Sequence, residues 1–392
     1  MNLLDLVLIL VVIAYAVAGF RQGFLIGALG MVGLLSGGMV GVWLAPIILE
    51  EFEPSITVSL SALGGVIILA LVGQTIGSVL GAKLRARVRW RPAHVVDAGA
   101  GALLSAAAVL VVAWILGAAV AGSQLGAITP EVRDSRVLAT VDRVMPERAN
   151  QALFAFGQVV DPGLFPRFME PFAPERILPV DPPDAGVLRD PDVAQAAASV
   201  VKVNGVAQAC SRSLAGSGFV YAEDRVMTNA HVVAGVRSPT VLSRDGGSHR
   251  AEVVHYDPQR DIAVLAVPDL DVPALDFDRG AETGDSAVVM GYPGNGDFTA
   301  GPARIRSEQP LRGPDIYGSR EVTREVLSLY ATVRQGNSGG PLMSPAGDVI
   351  GLIFAASVED SSTGYALTVE ELSAAARAGA AASDSVGTGS CA

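Results

Sequence analysis

The chain has 392 residues, 50% of them hydrophobic, and a formal net charge of −11 at pH 7. Its length is enough for two or three domains, and its acidic balance argues against nucleic acid as a partner. A mean hydropathy of +0.43 is high for a fully soluble protein. The apolar excess lies in the first 121 residues, so we expect the two ends of the chain to differ in class.

Four apolar stretches in the N-terminal part are predicted to be membrane-spanning helices. They cover about residues 3–20, 24–45, 56–80 and 98–121, and each is close to the ~20 residues that a helix needs to cross a bilayer. The first has no basic leading segment and the second follows almost at once, so a cleaved signal peptide is not expected. We therefore predict an α-helical transmembrane bundle of four spans over residues 1–121, with the lipid bilayer as a partner.

The charges between the spans predict how the bundle is oriented. Arg21 lies between the first and second spans, and the second loop is acidic through Glu50, Glu51 and Glu53. The third loop holds a basic cluster: Lys83, Arg85, Arg87, Arg89 and Arg91. Basic loops stay in the cytoplasm, which places everything after residue 121 outside. We thus expect a multi-pass protein of a bacterial inner (plasma) membrane, with its C-terminal domain in the periplasm or extracytoplasmic space.

Small and polar residues within the spans predict how the helices pack. Glycines recur at four-residue spacing: Gly23/Gly27, Gly33/Gly37/Gly41 and Gly73/Gly77/Gly81. This spacing lets helix backbones approach closely in lipid, so it predicts a packed bundle and allows a homo-oligomer through the same helices. Asp5 and Gln74 are polar residues at or near membrane depth, and two interpretations stay open. Both could belong to a polar path or sensor. Alternatively, Asp5 lies at the membrane interface and Gln74 makes a hydrogen bond between helices.

Two short motifs add a family resemblance to this region. The segments Asn2–Asp5 (NLLD) and Gly19–Phe24 (GFRQGF) resemble the colicin V production protein family, over roughly residues 1–120. The resemblance implies a small membrane domain and carries little functional content.

Residues 122–190 are predicted to form a partly helical linker. Thr129–Glu131 (TPE) has the order of an N-cap, a proline at the first helical position and a first-turn acid. Short helices are expected near residues 130–141 and 147–159. Residues 159–183 are rich in proline, which favours an extended segment, and two alternatives stay open there: a partly ordered spacer or a cleavable one.

The region from residue 191 to 392 is predicted to be an all-β domain. Short β-branched and apolar runs alternate with turn residues, as in a barrel or sandwich; they lie at residues 199–203, 218–221, 225–228, 251–254, 262–267, 286–290, 326–330 and 349–354. A helix is expected at about Val369–Gly379. Residues 295–324 are expected to be a long insertion, either a regulatory or self-cleaved loop or a plain surface loop.

Three local sequences carry candidate catalytic residues. His231 lies in MTNAHVV, and a histidine can act as a general base near neutral pH. Asp261 directly precedes the apolar run IAVL and would accept the Nδ1 hydrogen of His231; Asp257 is the competing candidate. Ser338 lies in QGNSGGP, where glycines expose its Oγ and permit strained backbone angles. The N–H groups of Gly336 and Ser338 can then converge on an oxyanion.

Three segments resemble the trypsin/chymotrypsin superfamily and its bacterial Deg-type branch: Thr228–Val233, Asp261–Leu265 and Gly336–Pro341. The resemblance covers roughly residues 195–380. The resemblance implies a chymotrypsin-like domain of two six-stranded β-barrels with the active site between them. It also implies a serine endopeptidase that cleaves proteins or peptides through an acyl-enzyme, without a cofactor. The whole chain resembles the mycobacterial acid-resistance periplasmic serine proteases, which implies a disulfide-controlled role in cell-envelope homeostasis under acid or oxidative stress.

Departures from the superfamily pattern limit what carries over. Asn337 stands where digestive members have the aspartate that pairs with a new N-terminus, so that form of activation is not expected. The PDZ domain of Deg-type members is not expected either, because few residues follow the final helix. By register with the family, Thr332 would lie at the base of the specificity pocket. Phe354, Ala355 and Ala356 would form its wall, and no acid is present there to select Lys or Arg.

Cys210 and Cys391 are the only two cysteines. In an exported domain such a pair suggests one disulfide, the alternative being two free thiols. A bridge would close a loop of roughly 180 residues, worth about 4–5 kcal/mol in the chain-entropy model. No Cys/His ligand spacing occurs, so a zinc site is not expected. We hypothesise that the bridge stabilises the active form, in which case reductant lowers the activity or the melting temperature.

Three functional hypotheses follow from these patterns. The first is an active, membrane-anchored protease. The second is a catalytically silent membrane-bound binding or signalling protein on a protease fold, which a missing triad member or a blocked oxyanion loop would favour. The third places the main activity in the helical bundle, as a transporter or sensor with the protease as its effector.

Overall fold

The computed structural model describes residues 2–49, 56–88, 90–121, 128–146, 149, 172, 175–210, 212–357 and 359–391. The chain divides into two compact units. The helical unit comprises Met1–Gly117 with Asp134–Val144, and the β unit comprises Ala118–Arg133 with Met145–Ala392. The segment expected to be a separate linker, residues 122–190, is thus divided between the two units.

Four long helices form most of the helical unit: α1 (Leu3–Gln22), α2 (Phe24–Leu49), α3 (Ile56–Arg87) and α4 (Arg91–Ala121). All four are long and apolar enough to cross a membrane. Helix α3 runs on through Lys83, Arg85 and Arg87, so most of the basic cluster lies on a helix end and not in the predicted loop. Lysine and arginine are good helix formers, and their charge favours the C-terminal end of a helix.

The close packing predicted from the glycine spacing is present between α2 and α3. A Cβ atom added to Gly33 would lie 2.1 Å from the Gly73 carbonyl oxygen, and one added to Gly37 would lie 2.2 Å from the Leu69 carbonyl oxygen. No side chain fits at such distances. The two helices therefore meet backbone to backbone, as small residues allow in lipid.

Asp5 has a role that neither sequence interpretation anticipated. Two short helices, α5 (Ile128–Arg133) and α6 (Arg136–Val144), replace the single helix expected at 130–141. Asp5 is fully buried, and its Oδ1 accepts hydrogen bonds from Ser135 Oγ at 2.6 Å and Val137 N–H at 3.1 Å. Its carboxylate thereby caps the N-terminus of α6, where negative charge is stabilising.

Other expectations for the connector fall largely outside the described residues. The helix expected at residues 147–159 lies there, apart from residue 149, and so does most of the proline-rich segment 159–183.

The first part of the β unit is a seven-stranded antiparallel sheet, preceded by α7 (Pro191–Ala196). Its strands are β1 (Val200–Ala207), β2 (Arg212–Ala222), β3 (Arg225–Thr228), β4 (Thr240–Leu242), β5 (Ser248–Arg250), β6 (Glu252–Asp257) and β7 (Ile262–Ala266). Their order across the sheet is β5-β4-β1-β2-β3-β7-β6. Strands β3 and β7 are therefore neighbours, although the end of β3 at Thr228 and the start of β7 at Ile262 are 34 positions apart.

The second part is a closed six-stranded barrel, followed by α8 (Val369–Ala381). Its strands are β8 (Ser286–Gly291), β9 (Thr299–Pro314), β10 (Glu321–Tyr330), β11 (Pro341–Met343), β12 (Val349–Ala356) and β13 (Thr363–Thr368). Their order around the barrel is β10-β13-β12-β11-β8-β9. The long loop expected at residues 295–324 is instead largely the β9–β10 hairpin, in which Pro314 pairs with Glu321.

The expectation of two six-stranded barrels is met by this second barrel alone. The first sheet has seven strands, and its edge strands β5 and β6 do not pair with each other. Only Ala251 separates these two strands in the chain, and its N–H donates to Pro239 O. The two edges of the sheet are therefore joined by the chain at Ala251, but no hydrogen-bonded strand pairing closes the sheet into a barrel.

One hydrophobic core joins the two sheets. It contains Phe219 and Met227 from the first sheet together with Met290, Phe354 and Tyr365 from the barrel. Helix α8 adds further apolar side chains to the same cluster. The loops that follow β3 and precede β11 are thus held against a shared, close-packed interior.

Candidate active site

His231 and Asp261 meet at the ends of two neighbouring strands. His231 lies in a 3-10 turn directly after β3, and Asp261 directly precedes β7. The Oδ2 atom of Asp261 is 2.7 Å from His231 Nδ1, and its Oδ1 accepts the His231 backbone N–H at 2.9 Å. One carboxylate therefore fixes both the ring and the main chain of the histidine.

The backbone at Asp261 is held in an unusual conformation. Asp261 has φ of +62° and is fully buried, and Asn229 Nδ2 donates to its carbonyl oxygen at 2.8 Å. Aspartate tolerates the left-handed region better than most residues, and such a conformation persists where the surroundings enforce it. The competing candidate, Asp257, accepts the N–H groups of Gln259 and Arg260, so it caps a turn and is not the partner of the histidine.

Ser338 lies in the loop between β10 and β11 and is almost fully buried. Its carbonyl oxygen accepts the Ser217 N–H at 2.8 Å, which docks this loop on β2. A Cβ atom at Gly216 would lie 2.6 Å from Val232 and 3.0 Å from Ser338 O. The residue after His231 and the candidate nucleophile therefore approach the same point of β2.

The backbone around Gly336 is fixed by two carbonyl contacts. Gln335 O accepts the Gly294 N–H at 2.7 Å, and Gly336 O accepts Ser217 Oγ at 2.6 Å. Gly336 has φ of +94°, and a Cβ atom there would lie 2.4 Å from Tyr292 O. Only glycine fits such a position, which explains the first glycine of the GNSGG motif.

Several residues of the site were not identified from the sequence. Ser217 lies far from His231 and Ser338 in the chain. Asn229 lies within the MTNAHVV segment, but its sequence position did not indicate that it holds the Asp261 main chain. Asn337 was noted only for the aspartate that it replaces. It is buried, and its Oδ1 accepts the Arg334 N–H at 2.9 Å, so it closes the turn before Ser338.

The structure does not bring the predicted pocket residues onto one surface. Thr332 is exposed, whereas the side chain of Phe354 is fully buried in the core beside that of Tyr365. Ala355 is buried and Ala356 is partly exposed on β12. At these two small residues β12 still pairs with β13, whereas its pairing with β11 ends at Leu352. The side of β12 without a strand partner is called the β12 edge below.

The loop after Ala356 is held by Asp360. The Asp360 carboxylate accepts hydrogen bonds from Ser362 and from Thr363 Oγ1, and lies 3.5 Å from Arg306. Burial raises the pKa of Asp360, but these hydrogen bonds and the Arg306 charge together hold it below its ordinary value.

A buried charged cluster ties α5 to the same loop. Arg133 lies 2.6 Å from Glu359 and 3.9 Å from Glu175, and Tyr365 donates its hydroxyl hydrogen to Glu175 at 2.7 Å. Burial raises the pKa of Glu359, against the lowering effect of Arg133. Helix α5 is therefore an integral part of the β unit, which the sequence did not indicate.

Cys210 and Cys391 form a disulfide, as the sequence suggested. The C-terminal tail, residues 382–391, runs beside the segment that follows His231: Gly235 N–H donates to Thr388 O at 3.0 Å, and Thr388 Oγ1 donates to Val236 O at 2.9 Å. The bridge thus fastens the tail close to the histidine turn. Among the described residues no group of three or more His, Cys, Asp or Glu side chains could hold a metal ion.

A groove of about 640 Å³ begins at Gln335 and Gly336 and runs along the β1–β2 hairpin past Ala215, Asn204 and Arg237. Its lining does not include the β12 edge. The groove therefore borders Gly336 without reaching Ala355 or Ala356.

Two families match separate parts of the chain. Residues 4–146 match the colicin V production protein family, and residues 216–352 match the trypsin-like peptidase domain family. The first match covers the helical unit, and the second covers the strands and loops that hold His231, Asp261 and Ser338.

Individual relatives match over different extents. Serine protease Rv3671c of Mycobacterium tuberculosis is 40% identical over 391 residues, which is 99% of this chain and 98% of that protein. Human serine protease HTRA4 is 33% identical over 141 residues, 35% of this chain and 29% of that protein. A crystal structure of the Rv3671c protease in its active form shares 48% identity, covers 57% of this chain and 98% of that chain, and superposes with a TM-score of 0.54. A single relative thus matches the membrane-capable helices and the peptidase region together.

Proposed function

Because this membrane-anchored chain belongs to the family of the mycobacterial serine protease Rv3671c, we propose that His231, Asp261 and Ser338 are its catalytic triad. The observation that carries the proposal is the double hold of Asp261 on His231, at 2.7 Å to the ring and 2.9 Å to the backbone. This is the arrangement that a general base needs, because the Nδ1 hydrogen is directed to the carboxylate and Nε2 keeps its lone pair.

The proposed reaction is acyl transfer through a covalent intermediate. His231 Nε2 takes the proton of Ser338 Oγ while that oxygen attacks the substrate carbonyl carbon. The imidazolium is stabilised by Asp261 and then protonates the leaving amine, which breaks the peptide bond. Water, activated by the same histidine, hydrolyses the resulting acyl-enzyme and restores Ser338. No cofactor is needed for any of these steps.

We propose the N–H groups of Gly336 and Ser338 as the oxyanion hole. A trans peptide directs its N–H opposite to its C=O. Since Gln335 O is held by Gly294, the Gly336 N–H is directed away from that contact. Preorganised donors at this place stabilise the charge that develops on the substrate oxygen, which is the largest single contribution in many enzymes.

We propose that a substrate uses two surfaces, the end of β12 and the groove beside Gly336. The acyl side of a substrate would lie along the β12 edge at Ala355 and Ala356. Thr332 and the main chain of Phe354 would be further contacts, since the Phe354 side chain is buried in the core. The leaving side would enter the groove beside Arg237. With no acid among these residues, we propose small or apolar side chains, not Lys or Arg, before the scissile bond.

We also propose that the protease domain faces the periplasm or extracytoplasmic space of the inner membrane. The charge distribution between the spans supports this orientation, and the disulfide agrees with an oxidising compartment. Protein or peptide substrates there, and a role in the envelope response to acid or oxidative stress, complete the proposal. A homo-oligomer in the membrane is part of the proposal as well, through helix faces other than the glycine-lined ones that pack α2 against α3.

The experiment that tests the triad is labelling of the full-length chain with a fluorophosphonate, which reacts only with an activated serine. We expect labelling of wild type and none of Ser338→Ala or His231→Ala. His255→Ala is the matched control, since His255 lies on β6 opposite Val264, whereas the Asp261 carboxylate binds His231, and it should label normally. Equal labelling of Ser338→Ala would exclude this nucleophile. No labelling of wild type would favour a silent binding protein on a protease fold.

A further inference from the structure

Ser217 lies on β2 and is fully buried. Its N–H donates to Ser338 O at 2.8 Å, and its carbonyl oxygen accepts Thr228 Oγ1 at 2.7 Å. These contacts fix the strand beside the loop that holds the proposed nucleophile. The Ser217 hydroxyl therefore has a defined position against that loop.

The Ser217 hydroxyl bridges two segments of the six-stranded barrel, the one that follows β8 and the loop that precedes β11. Its Oγ donates to Gly336 O at 2.6 Å and accepts the Tyr292 N–H at 2.9 Å. A serine hydroxyl has one donor hydrogen and two acceptor lone pairs, so one oxygen makes both bonds at once. It thereby connects the end of β8 to the loop before Ser338.

A second contact completes the frame around Gly336. Two residues after Tyr292, the Gly294 N–H donates to Gln335 O at 2.7 Å. The carbonyl groups on either side of the Gly336 Cα are therefore both held: one by Ser217 directly, and one by the segment that Ser217 supports. The direction of the Gly336 N–H depends on this frame, because it lies opposite to Gln335 O in the same peptide plane.

Gly336 needs such external support because it is a glycine. Its φ of +94° lies in a region that glycine enters without steric cost. Because glycine has no Cβ atom, sterics at Gly336 do little to restrict rotation of the peptide between Gln335 and Gly336. Hydrogen bonds to the neighbouring carbonyl groups, and not the residue itself, determine where its N–H points.

We propose that Ser217 is a positioning residue for the oxyanion hole, which holds the Gly336 N–H toward the reacting carbonyl without touching the substrate. The inference rests on the proposed function, in which Gly336 and Ser338 supply the oxyanion donors. Negative charge on the substrate oxygen develops only in the transition state. A misdirected donor therefore lowers kcat more than it raises KM.

The test compares Ser217→Ala with wild type in the full-length chain, on a peptide ester and its matched thionoester. Loss of an oxyanion donor costs about 100–1000-fold in kcat. For a misdirected donor we expect a fall of about 10–100-fold, with KM changed by less than about threefold. The thionoester sulfur is a poorer hydrogen-bond acceptor, so the ester-to-thionoester ratio of kcat/KM should fall about tenfold.

Two further variants keep the test decisive. Ser328→Ala removes a serine hydroxyl that is equally buried, on β10, and has no hydrogen-bond partner within the described part of the chain; kcat and the ester ratio should stay at wild-type values. Ser217→Cys keeps a similar volume with a weak S–H donor. It should give intermediate values, and it replaces the alanine variant if that variant does not fold.

The outcomes separate this inference from the proposed function. Wild-type kcat in Ser217→Ala overturns the positioning role and leaves the triad intact. An equal fall on the ester and the thionoester also overturns it, because general loosening of the fold would slow both substrates alike. If wild type shows no turnover that depends on Ser338, the proposed function fails first and the inference fails with it.

Discussion

Removing the disulfide should destabilise the β unit by several kcal/mol, because the bridge constrains a long segment of the unfolded chain. Cys210 and Cys391 are 181 positions apart, and the chain-entropy relation for a loop of that length gives about 5 kcal/mol at 25 °C. This is a third or more of the stability of a typical domain, about 5–15 kcal/mol. Cys210→Ser, Cys391→Ser and the double variant break the same bond, so all three should lose the same amount.

The effect on activity should be smaller than the effect on stability. The tail keeps its other contacts when the bridge is gone: Gly235 N–H to Thr388 O at 3.0 Å, Thr388 Oγ1 to Val236 O at 2.9 Å and Val386 N–H to Val253 O at 2.7 Å. In the folded variant these bonds still hold the tail against the segment that follows the histidine turn. We expect kcat within about threefold of wild type at low temperature, and its loss at the lowered melting temperature.

Hydrogen-exchange mass spectrometry of the full-length chain in detergent measures the loss of stability in the β unit, because it reports the β strands and the membrane-capable helices separately. Oxidised wild type is compared with the three variants, and each with and without reductant. The variants should match reduced wild type, and reductant should not affect the double variant. A loss below about 1 kcal/mol would contradict the chain-entropy argument. Unequal losses in Cys210→Ser and Cys391→Ser would show that local packing of the cysteines dominates.

Three further predictions concern buried charge, pH and helix packing. Arg133→Ala should cost about 3–5 kcal/mol, since the buried carboxylate of Glu175 and the partly buried one of Glu359 lose their counter-charge, whereas exposed Arg250→Ala should be neutral; hydrogen exchange measures both. The pKa of Asp360 is lowered by its hydrogen bonds and by Arg306, so its ionised form stabilises the fold above about pH 4 and this contribution is lost as the pH falls further. Asp360→Asn should therefore lower the melting temperature at pH 7 and flatten its decline below pH 4. Gly33→Val should destabilise the bundle in detergent thermal melts, while Gly64→Val should not, because a Cβ there has nothing within 4 Å.

Much of the candidate site could be predicted because its signals are local. Ser338 lies between glycines that a strained turn requires, and His231 and Asp261 each adjoin an apolar run that forms a strand. Asp261 could be preferred over Asp257 from its direct contact with such a run, and the structure places it against His231 at 2.7 Å. These features need only a few consecutive residues, so they can be read without knowledge of the fold.

The parts that could not be predicted depend on partners far apart in the chain. Ser217 contacts Gly336, 119 positions away, and Arg133 contacts Glu359, 226 positions away. Nothing beside either residue marks it. The β9–β10 hairpin was missed for a related reason: its prolines and glycines are poor strand formers, and barrel closure overrides that preference.

The two halves of the candidate site come from different sheets, so substitutions can affect the stability of each half separately. His231 and Asp261 belong to the seven-stranded sheet, and the loop of Gly336 and Ser338 belongs to the barrel. The tail and its disulfide contact the first sheet and, through Tyr317, the β9–β10 turn, whereas the Arg133 cluster contacts the barrel loop after β12. Substitutions in these two places share no contacts, so their effects on stability should add. Ser217 is different, since it lies in the seven-stranded sheet and holds the main chain of Gly336 in the barrel. Its loss should slow the reaction and add little to the destabilisation caused by substitutions in the other two places.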